Sequence, residues 1–159
     1  MADKITPFLW FDSQAEEAVR FYCSIFRKSK VGRIARYPEG GPGPAGSVMT
    51  VEFKLEGRDY VALNGGPHFK FTEAVSLVVN CKDQKEIDYY WDKLLEGGGK
   101  PSQCGWLKDK FGFSWQVTPS EWSKLYTTKD KARAQRVFTA MMGMVKMDIA
   151  ALKGAARGK

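Results

Sequence analysis

The sequence has little of what metal and redox chemistry usually needs. It carries one histidine, His68, so no HxH or HxxxH ligand pair can form. Its three cysteines, Cys23, Cys81 and Cys104, are odd in number and far apart, which excludes a disulfide framework and reads as reduced thiols of a cytoplasmic protein. No apolar run approaches the roughly 18 residues of a membrane helix. The opening MADKITPFLW lacks the charged-then-apolar pattern of a secretory signal. No glycine-rich strand–turn–helix segment suits S-adenosylmethionine.

What is present is an apolar core and a lopsided charge. Hydrophobic residues make up 43% of the 159, with ten phenylalanines, enough for a sizeable core. The net charge is +7, yet Lys124–Lys159 holds nine Lys/Arg and two Asp/Glu, which accounts for all of it. The body of the chain is neutral, which argues against nucleic acid as a partner. The basic segment reads as a solvated helical face, with a nucleic-acid contact as the alternative.

Periodicity predicts alternating strands and helices. Ile5–Phe11 reads as a buried strand. Ser13 and Glu16 have capping-box spacing, and Ala18, Phe21, Tyr22 and Ile25 form a helical stripe. Glu39–Gly46 is a mobile Gly/Pro loop and a candidate gate. Ser47–Glu56 alternates with period two, Gly57-Arg58 turns, and Asp59–Asn64 is the next strand. The pattern then restarts: strand Ala74–Asn80, cap Asp83 with Glu86, and the stripe Ile87, Tyr90, Trp91, Leu94. A shift of 69 places Phe8 on Leu77, Trp10 on Val79, Ala18 on Ile87 and Ile25 on Leu94, the mark of an internal repeat. Strands near Cys104–Lys108 and Phe113–Thr118 follow. Thr118-Pro119 then opens one helix, and Thr128 caps a longer one through Met141, Met142, Met144 and Met147, with Gly143 as a kink and Gly154–Lys159 frayed.

The duplicated strand–helix–strands unit resembles the vicinal-oxygen-chelate superfamily of glyoxalase I, bleomycin-resistance proteins and extradiol dioxygenases. Three blocks, Thr6-Pro-Phe-Leu-Trp-Phe with Ala15-Glu-Glu-Ala18, then Leu63-Asn-Gly-Gly-Pro67, then Cys104-Gly-Trp-Leu-Lys-Asp-Lys-Phe-Gly-Phe-Ser-Trp-Gln116, are similar to its PhnB-like branch, often labelled 3-demethylubiquinone-9 3-methyltransferase. The resemblance implies an α+β fold of two βαβββ modules with cupped mixed sheets (1–67 and 68–119), a C-terminal helical extension with a basic tail (120–159), and a homodimer.

The resemblance also supplies four strand positions for metal ligands in metal-dependent relatives. By register they fall near Thr6 and at Ala62, Ala74 and Gln116. Only Gln116 has a coordinating atom, so neither a metal nor another cofactor is expected. On the same register Thr6, Phe8, Trp10, Tyr60, Asn64, Ser76, Ser114 and Gln116 face a cavity and bind a small organic ligand, while Val61, Leu63, Leu77, Val79, Trp115 and Val117 pack beneath helices. Whether the chain is an enzyme stays open. A lyase, an isomerase or the labelled methyltransferase would have His68 and Glu73 as its acid–base candidates.

Overall fold

The computed structural model describes residues 4–158. The chain divides between Phe71 and Thr72 into two compact units. The division falls after Phe71 because the segment beyond Pro67 stays with the first unit: Phe69 meets Trp10 edge-on at 4.9 Å, and Phe71 meets Phe11 at 5.1 Å.

The first unit runs β1 (Phe8–Phe11), α1 (Ala15–Ile25), β2 (Lys30–Arg36), β3 (Val48–Leu55) and β4 (Arg58–Asn64). The sheet order is β1-β4-β3-β2, with β1 parallel to β4 and the other pairs antiparallel. Leu9, Phe11, Val51, Phe53, Tyr60 and Ala62 are buried on the face that meets Ala18, Val19, Tyr22 and Ile25 of α1. Each large side chain so removed from water contributes about 1.5–3 kcal/mol. β2 escapes a reading by periodicity because its register slips between Val31 and Ile34, at a bulge over Gly32 and Arg33. A Cβ at Gly32 would meet the Glu52 carbonyl oxygen at 2.8 Å.

The second unit runs β5 (Ser76–Cys81), α2 (Gln84–Leu95), β6 (Lys100–Pro101), β7 (Trp106–Lys108), β8 (Ser114–Pro119), α3 (Trp122–Tyr126), α4 (Lys131–Met142) and α5 (Ile149–Arg157). Its sheet order is β5-β8-β7-β6, with β5 parallel to β8. Val79, Cys81, Trp115 and Val117 are buried with Ile87, Trp91 and Leu94 of α2. The fold is therefore α+β, with two four-stranded mixed sheets and added helices. Among the described residues no helix is long and apolar enough to cross a membrane.

Several local expectations need correction. The first strand begins at Phe8, and Ile5 is exposed. α1 starts after Gln14 with no side-chain cap of its own: Ser13 is not the cap, and Asn64 Oδ1 accepts from the Ala15 N–H at 2.8 Å. β5 begins at Ser76, because Ala74 lies in a turn where the Thr72 hydroxyl accepts its N–H. Thr118 and Pro119 remain in β8, paired with Asn80 and Cys81, so neither opens a helix. The cap of α4 is Asp130, whose carboxylate accepts from the Arg133 N–H, and the Thr128 hydroxyl instead accepts from the Asp130 N–H. At Gly143 the helix ends outright. Gly154–Lys159, expected to fray, is helical through Arg157, stopped by Gly158 at φ 75° and tied by Arg136, which donates to the Ala155 and Ala156 carbonyls. Lys159 lies outside the described residues.

Candidate functional site

Each sheet has one face on its helix and one open face, so register decides which residues a ligand can reach. In the first sheet Phe8 pairs with Val61 and Trp10 with Leu63, and Thr50 pairs with Leu63. The open face therefore carries Phe8, Trp10, Val61, Leu63 and Thr50. Phe8 is 58% exposed.

Tyr60 and Asn64 lie on the other face, contrary to expectation. Tyr60 pairs with Phe53 and stacks on it at 5.4 Å in the core, and burial pushes its hydroxyl above its ordinary pKa. Asn64 spends its amide internally, on the Ala15 N–H and on the Val48 carbonyl. The physical reason is the hairpin. Leu55 pairs with Arg58 across Glu56-Gly57, and counting outward places Tyr60 and Ala62 beside Phe53 and Val51. The run Tyr60-Val-Ala-Leu63 is apolar at every position, so its own alternation is invisible.

Trp10 is on the open face but is committed to its own loop. Its indole N–H donates to the Gly66 carbonyl at 2.9 Å. The ring lies so close to Gly65 that a Cβ there would come within 2.2 Å. This explains the paired glycines of the Asn64-Gly-Gly-Pro67 block. Thr6 is half-buried just before β1, and His68 is exposed in the loop after Pro67.

The second sheet has the expected register. Ser76 pairs with Ser114 and Val78 with Gln116, and β7 adds Trp106 opposite Gln116 and Lys108 opposite Ser114. Gln116 Nε2 donates to the Ser76 hydroxyl at 2.9 Å. Ser114 is 1% exposed, and its hydroxyl has no hydrogen-bond partner among the described residues. Glu73 and Lys108 form an ion pair at 2.6 Å. The hydrogen bond from Lys108 is the main reason the Glu73 carboxyl is held below its usual range, which makes it a poor proton carrier near neutral pH.

Above this open face lies a hollow of about 340 Å³. Val78, Asn80, Trp106, Gln116 and Thr118 come from the sheet, and Trp122, Ser123, Met141 and Met147 from the helical extension. The roofing residues gave no sequence signal beyond the methionine cluster, while Trp106 is legible as the strand neighbour of Gln116. A larger open groove, about 780 Å³, lies where α2 and α5 begin. Among its charges Lys146 pairs with Asp88, and Asp83 and Asp148 cap the two helices.

Metal donors are sparse. Among the described residues no three His, Cys, Asp or Glu side chains gather as a metal site. The carried-over position Ala62 is a buried methyl on the helix face, and its open-face neighbours are Val61 and Leu63. These residues do not fit a metal centre.

Residues 3–118 match the family described as 3-demethylubiquinone-9 3-methyltransferase. The chain belongs to this family. A PhnB protein from Bacillus cereus is 40% identical and superposes with a TM-score of 0.67, covering 74% of this chain and 99% of that one. A protein from Pseudomonas aeruginosa is 19% identical, with a TM-score of 0.60 over 74% of this chain and 98% of that one. The fosfomycin resistance protein FosX from Listeria monocytogenes, solved with Mn(II) and sulfate, shares the fold at 10% identity, with a TM-score of 0.54 over 78% of this chain and 94% of that one. The chain thus has the fold of these solved structures. A comparison with curated proteins finds no match.

Proposed function

We propose that this family member binds a small organic ligand on the open face of its second sheet, without a metal. The orphaned Ser114 hydroxyl carries the reading. A buried hydroxyl with no partner among the described residues is costly and rare, and it sits beside the Ser76–Gln116 pair, where a ligand that displaces its cover would complete it. The open face supplies carbon walls and neutral hydrogen-bonding groups, the usual lining of a small-molecule site, and Lys108 on the same face has its charge paired with Glu73. The unsuitable donor set favours recognition by shape and hydrogen bonds.

The test combines elemental analysis of the purified protein with thermal-shift screening against small organic compounds. Ser114→Ala should leave the unliganded Tm unchanged or slightly higher, because it removes an unsatisfied group, and should shrink the ligand-induced shift. A stoichiometric divalent ion that is lost on Gln116→Leu would overturn the reading.

A further inference from the structure

The hollow over the second sheet has a roof that lies beyond the family match, which ends at residue 118. The roof is built, not draped. Cys104 and Gly105 both take positive φ, 59° and 81°, and their successive N–H groups donate to the Met144 and Val145 carbonyls at 2.8 Å each. Gly105 is needed for the approach, since a Cβ there would lie 2.7 Å from the Val117 carbonyl oxygen and 2.8 Å from Met147 Cγ. Gln84 clamps the next segment from both sides: its Nε2 donates to the Met147 carbonyl and its Oε1 accepts from the Ile149 N–H. Met147 is 1% exposed.

Among the described residues no acidic or basic side chain lines the hollow. Trp106 and Trp122 offer flat faces, and Met141 and Met147 offer polarisable, adaptable ones. A charged ligand would lose its water shell here without gaining a counter-charge. A volume of about 340 Å³ is at the small end of ligand pockets. Building on the small-molecule reading above, we infer that the roofed hollow selects an uncharged, planar aromatic molecule, held between the sheet and the extension, with the Asn80 and Gln116 amides orienting its polar edge.

Two dyes of one skeleton test this in the full-length protein: N-phenyl-1-naphthylamine, which is uncharged, and 8-anilinonaphthalene-1-sulfonate, which adds one sulfonate. Fluorescence titration should show the neutral dye binding about ten-fold tighter, beyond its difference in partition into detergent micelles. Trp122→Ala should weaken it about ten-fold. Met141→Lys, which places an ammonium in the roof, should reverse the order of the two dyes, with circular dichroism confirming that each variant is folded. Equal binding of both dyes to the wild type, or an unchanged order in Met141→Lys, overturns the inference. If Ser114→Ala and Gln116→Leu weaken the neutral dye while the roof variants do not, the roof inference fails and the open-face reading stands. If neither dye binds, both fail.

Discussion

In the first unit the turn between β3 and β4 rests chiefly on backbone geometry: Glu56 and Gly57 both take positive φ, 47° and 84°, the two-residue geometry that matches strand twist, and the Ser29 hydroxyl accepts from the Glu56 N–H. In the second unit the corresponding turn between β7 and β8 is organised by a buried carboxylate. Asp109 is 3% exposed and accepts from the Phe111 and Phe113 N–H groups and from the Trp115 indole N–H at 2.9, 3.1 and 2.8 Å. The helices reverse this division. α2 is capped locally, by Asp83 accepting from the Glu86 N–H, whereas α1 relies on Asn64 from β4. Asn64 thus reaches back across the unit to α1, whereas Asp109 works within its own hairpin, and the two polar anchors stand at opposite ends of the motif.

The largest expected effect is at Asp109. Asp109→Ala strips three donors, two of them buried, of their acceptor and should destabilise the protein by about 3 kcal/mol or more, measured by urea unfolding. Gly57→Ala should cost only about 1 kcal/mol, the strain of a Cβ at positive φ. Similar costs for the two would erase the contrast between the turns. The caps sharpen it further: Asn64→Ala, which leaves the Ala15 N–H and the Val48 carbonyl unpaired, should cost about 2 kcal/mol, against about 1 kcal/mol for Asp83→Ala. The smallest effect is chemical. Cys81 is fully buried, and desolvation, aided by Glu86 and Asp83, pushes its thiol up to about 12. At pH 8 native Cys81 should resist alkylation while the partly exposed Cys104 reacts, as read by mass spectrometry of the labelled peptides. Because the folded-state value is raised, the protonated thiol favours folding below the ordinary 9.0, and that contribution fades as pH rises toward about 12.

Much of the second sheet was legible. The register that the resemblance implies puts Ser76, Ser114 and Gln116 on the open face, where the strand pairing has them, and the alternation of Ser114, Gln116 and Thr118 with Trp115 and Val117 agrees. The first sheet was legible only in part. The 69-residue shift holds for the helices, where Ala18 matches Ile87 and Ile25 matches Leu94, but the buried strand residues Leu9 and Phe11 match Val79 and Cys81, a shift of 70. One residue fewer links strand to helix in the second unit, and an offset fitted to helices misplaces strand faces. Tyr60 and Asn64 differ from expectation for another reason: the register that the resemblance implies for β4 conflicts with the pairing that the two-residue hairpin dictates.

The amino-acid sequence determined the elements of local origin: amphipathic helical stripes, alternating strands, the Glu56-Gly57 turn and the Asp83 cap. It also carried the family, through blocks whose residues the fold explains, with glycines that receive Trp10 and an aspartate that gathers the last hairpin. Only the tertiary structure decided what covers the second sheet. Pattern along a chain reports which face of an element turns from water, but not which distant segment comes to rest against it. That partner is fixed by contacts as particular as two left-handed residues, Cys104 and Gly105, offering their amides to Met144 and Val145.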